Sequence, residues 1–249
     1  MSLRLFVDSL LSADLEFPLP DDAARHVQVR RLQPGDDLCL FDGRGGEWRA
    51  QVTRMGKRDV DVRVLTHEAV DREPPFALEI ALGMPTNERM DALVEKATEL
   101  GVAAIQPLHT ERSVLRLDGD RAAKRVAHWQ AVAVSASEQS GRTRVPVVAP
   151  VRSLAAWLAD QSDASAHAGR FVMSTGSAPA LARAVAPAPA PAGRWLALSG
   201  PEGGLTADEE AAAVAHGFAR VSLGSLILRA DTVPLAWLAQ MPLLLPGRA

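Results

Sequence analysis

Apolar and polar positions alternate with a period of two over the first seventy residues. The runs LRLFV, DDLCLF, EWRAQVTRM and DVDVRVL follow this pattern. Turn chemistry separates them, at Pro34-Gly35-Asp36 and at Asp42-Gly43-Arg44-Gly45-Gly46. Short alternating runs between such turns predict strands, and their even spacing predicts a small β-barrel. Asp21 to Leu32 is the one helix expected in this part. Asp71-Arg72-Glu73-Pro74-Pro75 then predicts a linker, because paired prolines continue neither a ladder nor a helix.

From Phe76 the period changes. FALEIALGM reads as a strand, and Thr86 to Leu100 as a helix with Met90, Leu93, Val94, Ala97 and Leu100 on one face and Gly101 after its end. VAAIQPL follows as a strand. Asp120 to Ser140 predicts a long helix that turns Val126, Trp129, Val132, Ala133 and Ala136 inward. Strands at VPVV, RFVMS, RWLALS and ARVSL alternate with helices at SLAAWLADQ, Thr206–His216 and Thr232–Leu244. This alternation predicts a mostly parallel α/β sheet. The APAPAPAG stretch at 186–193 reads as a solvated loop. The expected division is residues 1–72 as the barrel and 73–249 as the α/β domain.

Composition narrows the function classes. One cysteine in 249 residues excludes a disulfide framework and a cysteine-built metal site. No histidine cluster suggests a metal. With no leader-like N-terminus and no membrane-length apolar run, the expectation is a cytoplasmic soluble protein. A formal net charge of −3 argues at first against a nucleic-acid partner. Its distribution changes that picture. From Arg112 to Arg144 there are seven basic groups (Arg112, Arg116, Arg121, Lys124, Arg125, Arg142, Arg144) against Asp118, Asp120 and Glu138. A second basic cluster is Arg25-His26 with Arg30-Arg31. Only Lys57, Lys96 and Lys124 are lysines, so the cations are mostly arginines, which suit phosphate in bidentate fashion, although coding bias explains the ratio equally well.

Four segments carry possible chemistry. Leu198-Ser199-Gly200-Pro201-Glu202-Gly203-Gly204-Leu205-Thr206 runs from a strand through a turn with three glycines to a capping box formed by Thr206 and Glu209. It matches neither a Walker loop nor a dinucleotide fingerprint, and alone it reads as a tight structural turn. Leu223-Gly224-Ser225-Leu226-Ile227-Leu228-Arg229-Ala230-Asp231-Thr232 again follows a strand. There Asp231 or Thr232 can cap the last helix, and Arg229 is either a partner for Asp231 or a fixed cation beside a ligand. Glu95 to Val102 reads as an amphipathic helix with a glycine stop. Ser137-Glu138-Gln139-Ser140-Gly141-Arg142 closes the long helix, with Arg142 and Arg144 complementing its C-terminus.

In this order, KATELGV, SEQSGR with RVP close behind, GPEGGLTADE and LG-x-x-ILR-x-D-T make the chain resemble the RsmE family. Arg4-Leu5-Phe6, His26 with Arg30-Arg31, Pro34-Gly35-Asp36 and Phe41-Asp42-Gly43 extend the resemblance into the first part. It implies a PUA-like barrel followed by a SPOUT α/β domain with a C-terminal trefoil knot, and a homodimer formed through that knot. It implies an S-adenosylmethionine-dependent methyltransferase acting on N3 of a uridine in 16S rRNA of the small ribosomal subunit. The cofactor loops carried over are Met173 and Ser174; Leu198, Gly200, Pro201, Glu202, Gly203 and Gly204; and Leu223, Gly224, Ile227 and Leu228. This chain departs from the family pattern at Leu226, at Asp231-Thr232-Val233 and at Met84-Pro85-Thr86.

Uridine N3 is a weakly acidic imide nitrogen, so positioning and charge stabilisation would carry most of the catalysis. Arg229 is expected to stabilise the developing uridine anion, and Glu202 to position the base or accept its proton. Cys39, within a barrel strand, reads as a small buried apolar residue and not as a nucleophile. RNA is expected on Arg4, His26, Arg30 and Arg31 from the barrel, and on Arg112, Arg142 and Arg144 beyond it. The competing readings are a SPOUT methyltransferase with another rRNA target and a non-catalytic RNA-binding assembly factor.

Overall fold

The computed structural model describes residues 3–161, 166–185 and 193–245. Most of the APAPAPAG stretch lies outside them. The chain falls into two compact units, Met1–Glu73 with Ser137–Val145, and Pro74–Ala136 with Pro146–Ala249. The break between Glu73 and Pro74 falls within the 71–75 stretch, but nothing in the local pattern separates 137–145 from what surrounds them.

The first unit is built on a five-stranded sheet of order β1-β3-β4-β5-β2. Its strands are β1 (Arg4–Phe6), β2 (Glu16–Pro18), β3 (Asp37–Phe41), β4 (Glu47–Met55) and β5 (Val60–Glu68). β1 pairs with β3 in parallel, and the other pairs are antiparallel. Period-two alternation does what it predicts. Val60, Val62 and Val64 of β5 join Leu38, Leu40, Ala50 and Val52 in one core, over which α1 (Asp21–Val29) lays Ala23, Ala24 and Val27. β2 escapes the sequence pattern because it is three residues long and ends on Pro18, which a sheet tolerates at its edge.

The second unit holds a parallel sheet of order β12-β10-β11-β6-β7-β8, with β9 (Arg152–Ser153) also on β7. These strands are β6 (Ala77–Gly83), β7 (Val102–His109), β8 (Val147–Val148), β10 (Gly169–Met173), β11 (Arg194–Ser199) and β12 (Ala219–Val221). The chain starts at the centre with β6, builds outward through β7 to β8, and then places β11, β10 and β12 on the other side. One face buries Leu196, Leu198, Val172 and Leu108 against α4 (Leu154–Ala159) and α6 (Ala207–Ala215), which contribute Leu154, Trp157, Leu158 and Ala213; the short α5 (Leu181–Val185) lies between them in the chain. α7 (Thr232–Leu244) packs on β6, β11 and α2 (Asn87–Glu99), and it buries Trp237, Leu238 and Met241. The long helix α3 (Gly119–Ser140) buries Trp129 completely and ties its indole Nε1 to Asp91 Oδ1 of α2 at 2.9 Å. No helix among the described residues is long and apolar enough to cross a membrane.

Candidate active site

In a parallel sheet the connections leaving the C-terminal strand ends converge where the strand order reverses, and this is where such sheets hold ligands. Here that reversal separates β6 from β11. The loops after β10, β11 and β12 line one cleft of about 780 Å³. Met173 to Gly176 enter from β10, Ser199 to Leu205 from β11, and Val221 to Ala230 from β12. Arg89, Arg112, Glu210 and Val233 complete the wall. Of the expected cofactor residues only Leu198 does not line the cleft; it is fully buried in the sheet core.

The glycine-rich turn is held in shape by its own backbone and by distant side chains. A Cβ on Gly200 would stand 2.5 Å from the Leu205 nitrogen, and Gly204 has φ +70°. Any larger residue at either position would force the turn open. The Glu202 carboxylate accepts the Thr86 backbone N–H at 3.1 Å and faces Arg89 Nη1 at 3.5 Å, both through Oε1. Glu202 therefore ties the turn to the start of α2. Arg112 Nη1 donates to the Gly203 carbonyl at 2.9 Å. Thr206 caps α6 in a full capping box with Glu209, whose other carboxylate oxygen accepts the Glu111 N–H at 2.8 Å.

Arg229 is exposed on the cleft wall, and no carboxylate among the described residues lies within ion-pair distance of it. Asp231 is not its partner. Nor does Asp231 cap α7 with its side chain, although it stands at the N-cap position. The helix N–H groups of Thr232 and Val233 go to the Arg229 carbonyl, and Pro234, third in the helix, has no N–H to offer. The expected cap at Asp231 is corrected accordingly, and one carboxylate oxygen of Asp231 is buried without a partner among the described residues.

A medium-sized polar cofactor fits these walls. The volume lies in the range of small-molecule sites. Ser199 Oγ is buried at the cleft without a hydrogen-bond partner among the described residues. Ser174 Oγ donates to the Glu210 carboxylate, with 3.1 Å to the nearer oxygen, and Arg220 Nε stands 3.3 Å from the same group. The site thus offers a carboxylate as well as three backbone-lined loops. No group of three or more potential metal ligands gathers among the described residues.

Sequence reasoning missed Arg89, Thr175, Gly176 and Glu210 as wall residues. A signal existed for Arg89: it is a cation in the first turn of a helix, where the macrodipole disfavours positive charge. Glu210 had none, because acids at a helix start are ordinary.

The cations expected to meet RNA divide sharply. His26, Arg30, Arg31 and Arg144 are exposed in the first unit, and Arg112 is exposed in the second. Arg31 occupies the left-handed region (φ +58°) just past α1, a position that usually takes glycine. Arg4 and Arg142 point inward instead. Arg4 Nη2 meets Glu47 Oε1 at 2.6 Å, and the same guanidinium donates to the carbonyls of Ser137, Glu138 and Arg142. Arg142 is 7% exposed and pairs with Glu73 at 2.7 Å. The end of α3 is therefore satisfied by the Arg4 guanidinium from β1, together with the Arg142 backbone N–H, which donates to the Ser137 carbonyl at 3.2 Å. The Glu138 carboxylate accepts the Phe6 N–H at 2.9 Å, while burial pushes its pKa up.

Cys39 is half-buried in β3. Burial, helped by the neighbouring Glu47 charge, pushes its thiol up to about 11, so it carries no nucleophilic thiolate near neutral pH. His109 Nε2 bonds the Leu117 carbonyl and His216 Nδ1 the Ala212 carbonyl, which are structural contacts.

Comparison with known proteins agrees with this architecture. Residues 72–242 match the model of an RNA methyltransferase domain, and residues 19–65 match that of an RNA methyltransferase PUA domain. The chain is 35% identical to ribosomal RNA small subunit methyltransferase E of Synechocystis sp., covering 88% of this chain and 69% of that one. It is 34% identical to the Mycobacterium tuberculosis protein of the same name, covering 93% and 88%. Among solved structures, the Neisseria gonorrhoeae methyltransferase E bound to S-adenosyl methionine superposes with a TM-score of 0.88 at 35% identity over 98% of both chains. A putative methyltransferase of Legionella pneumophila with bound SAM gives 0.89 at 28% identity, again over 98% of both. With a PUA-like unit, a parallel α/β unit and three loops meeting in one cleft, the chain belongs to the ribosomal RNA small subunit methyltransferase E family, RsmE.

Proposed function

We propose that this protein transfers a methyl group from S-adenosylmethionine to N3 of a uridine in the 16S rRNA of the small ribosomal subunit, acting as a cytoplasmic homodimer. The observation that carries the reading is the three-loop cleft, in a chain whose fold matches a cofactor-bound relative over nearly its full length. Met173, Ser174, the Gly200–Gly204 turn and the Leu223–Leu228 loop would hold the cofactor, with Ser199 Oγ as a polar contact inside. When bound, S-adenosylmethionine supplies an electrophilic methyl group on a sulfonium.

The chain's own residues would do the remaining work. Uridine N3 becomes nucleophilic as it loses its proton, and negative charge grows on the base. Arg229, which has no ion-pair partner among the described residues, would stabilise that charge. Glu202 keeps the turn in position through Oε1, which leaves Oε2 able to accept the imide proton. His26, Arg30, Arg31, Arg112 and Arg144 would contact RNA phosphates. Leu226 and Ile227 support the dimer: they are 80% and 86% exposed on the last cleft loop, where a second copy would cover them.

The test is transfer of labelled methyl to small subunits and to naked rRNA, both from cells lacking this activity, with the modified nucleotide mapped. Label on uridine N3 is expected. Label on another atom would replace the proposed target, and cofactor binding without transfer to either substrate would leave an RNA-binding assembly factor.

A further inference from the structure

Within the second unit, a separate concave surface of about 380 Å³ lies along the outer side of α3. Its walls are Leu115, Leu117, Arg121, Lys124, Arg125 and His128. The four charged or titratable positions are spaced three, four and seven apart, so they share one helix face. His128 is turned to Asp91, 3.0 Å away. No ion pair or hydrogen bond among the described residues engages the side chains of Arg121, Lys124 or Arg125. Most other arginines of this unit are engaged: Arg89, Arg152, Arg194 and Arg220 by carboxylates, and Arg112, Arg116 and Arg170 by carbonyls.

These three cations also stand in the first two turns of α3, at the positive end of its macrodipole, where helix stability alone would favour acids. Asp120 supplies the favourable first-turn charge, and Asp118 precedes it. Positive charge that no group among the described residues pairs, gathered in a concavity, favours an anion. The two leucines give the surface an apolar floor, against which a ribose or base can lie. The segment that links this surface to the cleft is short. Arg112 lines the cleft and Leu117 lines the basic surface, and five residues of chain span at most about 18 Å.

We infer that Arg121, Lys124 and Arg125 form a docking site for backbone phosphates of the substrate RNA, on nucleotides that flank the base held in the cleft. The inference rests on the proposed rRNA reading and extends it by naming a contact surface outside the cleft. The site reads charge and spacing, not sequence, because phosphate contacts fix register without distinguishing bases.

The experiment compares the full chain with its Arg121→Gln/Lys124→Gln/Arg125→Gln variant. RNA affinity is measured between 50 and 200 mM salt, and cofactor affinity by calorimetry. Losing two or three phosphate contacts should flatten the slope of log K against log salt by about 2. KM for RNA should rise at least about tenfold, with the loss falling on KM and not on kcat, and with cofactor affinity retained. An Arg121→Lys/Arg125→Lys variant keeps the charges and should keep the slope. An unchanged slope and KM in the triple variant would overturn the site. So would a joint loss of cofactor and RNA affinity, which would make the face structural. If the parent chain binds RNA with the steep slope but transfers no methyl, the catalytic reading fails while the phosphate site stands.

Discussion

The carboxylate clusters of the first unit and the cleft wall of the second treat guanidinium groups in opposite ways. In the first unit, Arg4 and Arg72 converge on the carboxylate of Glu47, each at 2.6 Å, and Arg142 is closed against Glu73. In the second, Arg229 lies open on the cleft wall and Arg112 gives one bond to a carbonyl. The residue type is the same, and so is its intrinsic charge. What differs is the number of acceptors the fold brings within reach. A guanidinium whose donors are matched by protein is a cross-link, while one left exposed with donors unmatched is available to a ligand. Counting arginines by segment cannot separate the two classes.

Removing an unmatched cation should strike activity hardest. Arg229→Ala is expected to lower methyl transfer by about 10²–10³-fold, the effect of deleting one preorganised charge-stabilising donor. Single-turnover transfer with cofactor affinity measured alongside checks this, and near-normal transfer would remove Arg229 from the mechanism.

Removing a matched acceptor should strike stability instead. Glu47→Ala removes the carboxylate that Arg4 and Arg72 share at a site only 8% exposed, leaving Arg4 with its carbonyl contacts and Arg72 half exposed, and a loss of about 2 kcal/mol is expected by denaturant unfolding. The pH dependence has a defined sign. Burial alone would raise the Glu47 pKa, but hydrogen bonds from Arg72 and Arg4 outweigh it and hold the carboxyl below its ordinary value. Its contribution is therefore complete above the unfolded pKa of about 4.3, and is lost as pH falls through the lower folded value. The variant should unfold with a flatter acid limb than the parent. A parallel acid limb would mean that the ion-pair cluster contributes nothing.

The smallest effect should come from a pair that is matched but wet. Arg49 meets Asp37 at 3.1 Å, with both side chains at least half exposed. Arg49→Ala should change stability by no more than about 0.5 kcal/mol. A larger loss would show that burial is not what separates the two classes of arginine.

Much of the architecture was legible because it depends on local pattern. β4 has the limits that alternation predicts, Glu47–Met55, and α7 spans the expected Thr232–Leu244 without the side-chain cap expected at its start. The capping box at Thr206 and Glu209 is present as read. The cleft loops were legible through family resemblance, since their glycines and apolar residues have no chemistry of their own until three strand ends meet. β2 and β9 were not legible, being three and two residues long, too short to show a period. Arg4 was misread because its acceptors lie 43 and more than 130 residues away.

By itself the sequence determined the types of the longer elements and the family, because hydrophobic period, turn residues and motif order are properties of neighbouring positions. Only the tertiary structure decided which charges are cross-links and which are open to a ligand. It seated Glu202 on the start of α2, turned Arg4 onto the end of α3, and left Arg121, Lys124 and Arg125 without a partner among the described residues. The reason is physical. A charge's role is set by the dielectric around it and by the acceptors within about 4 Å, and folding assembles both from distant parts of the chain.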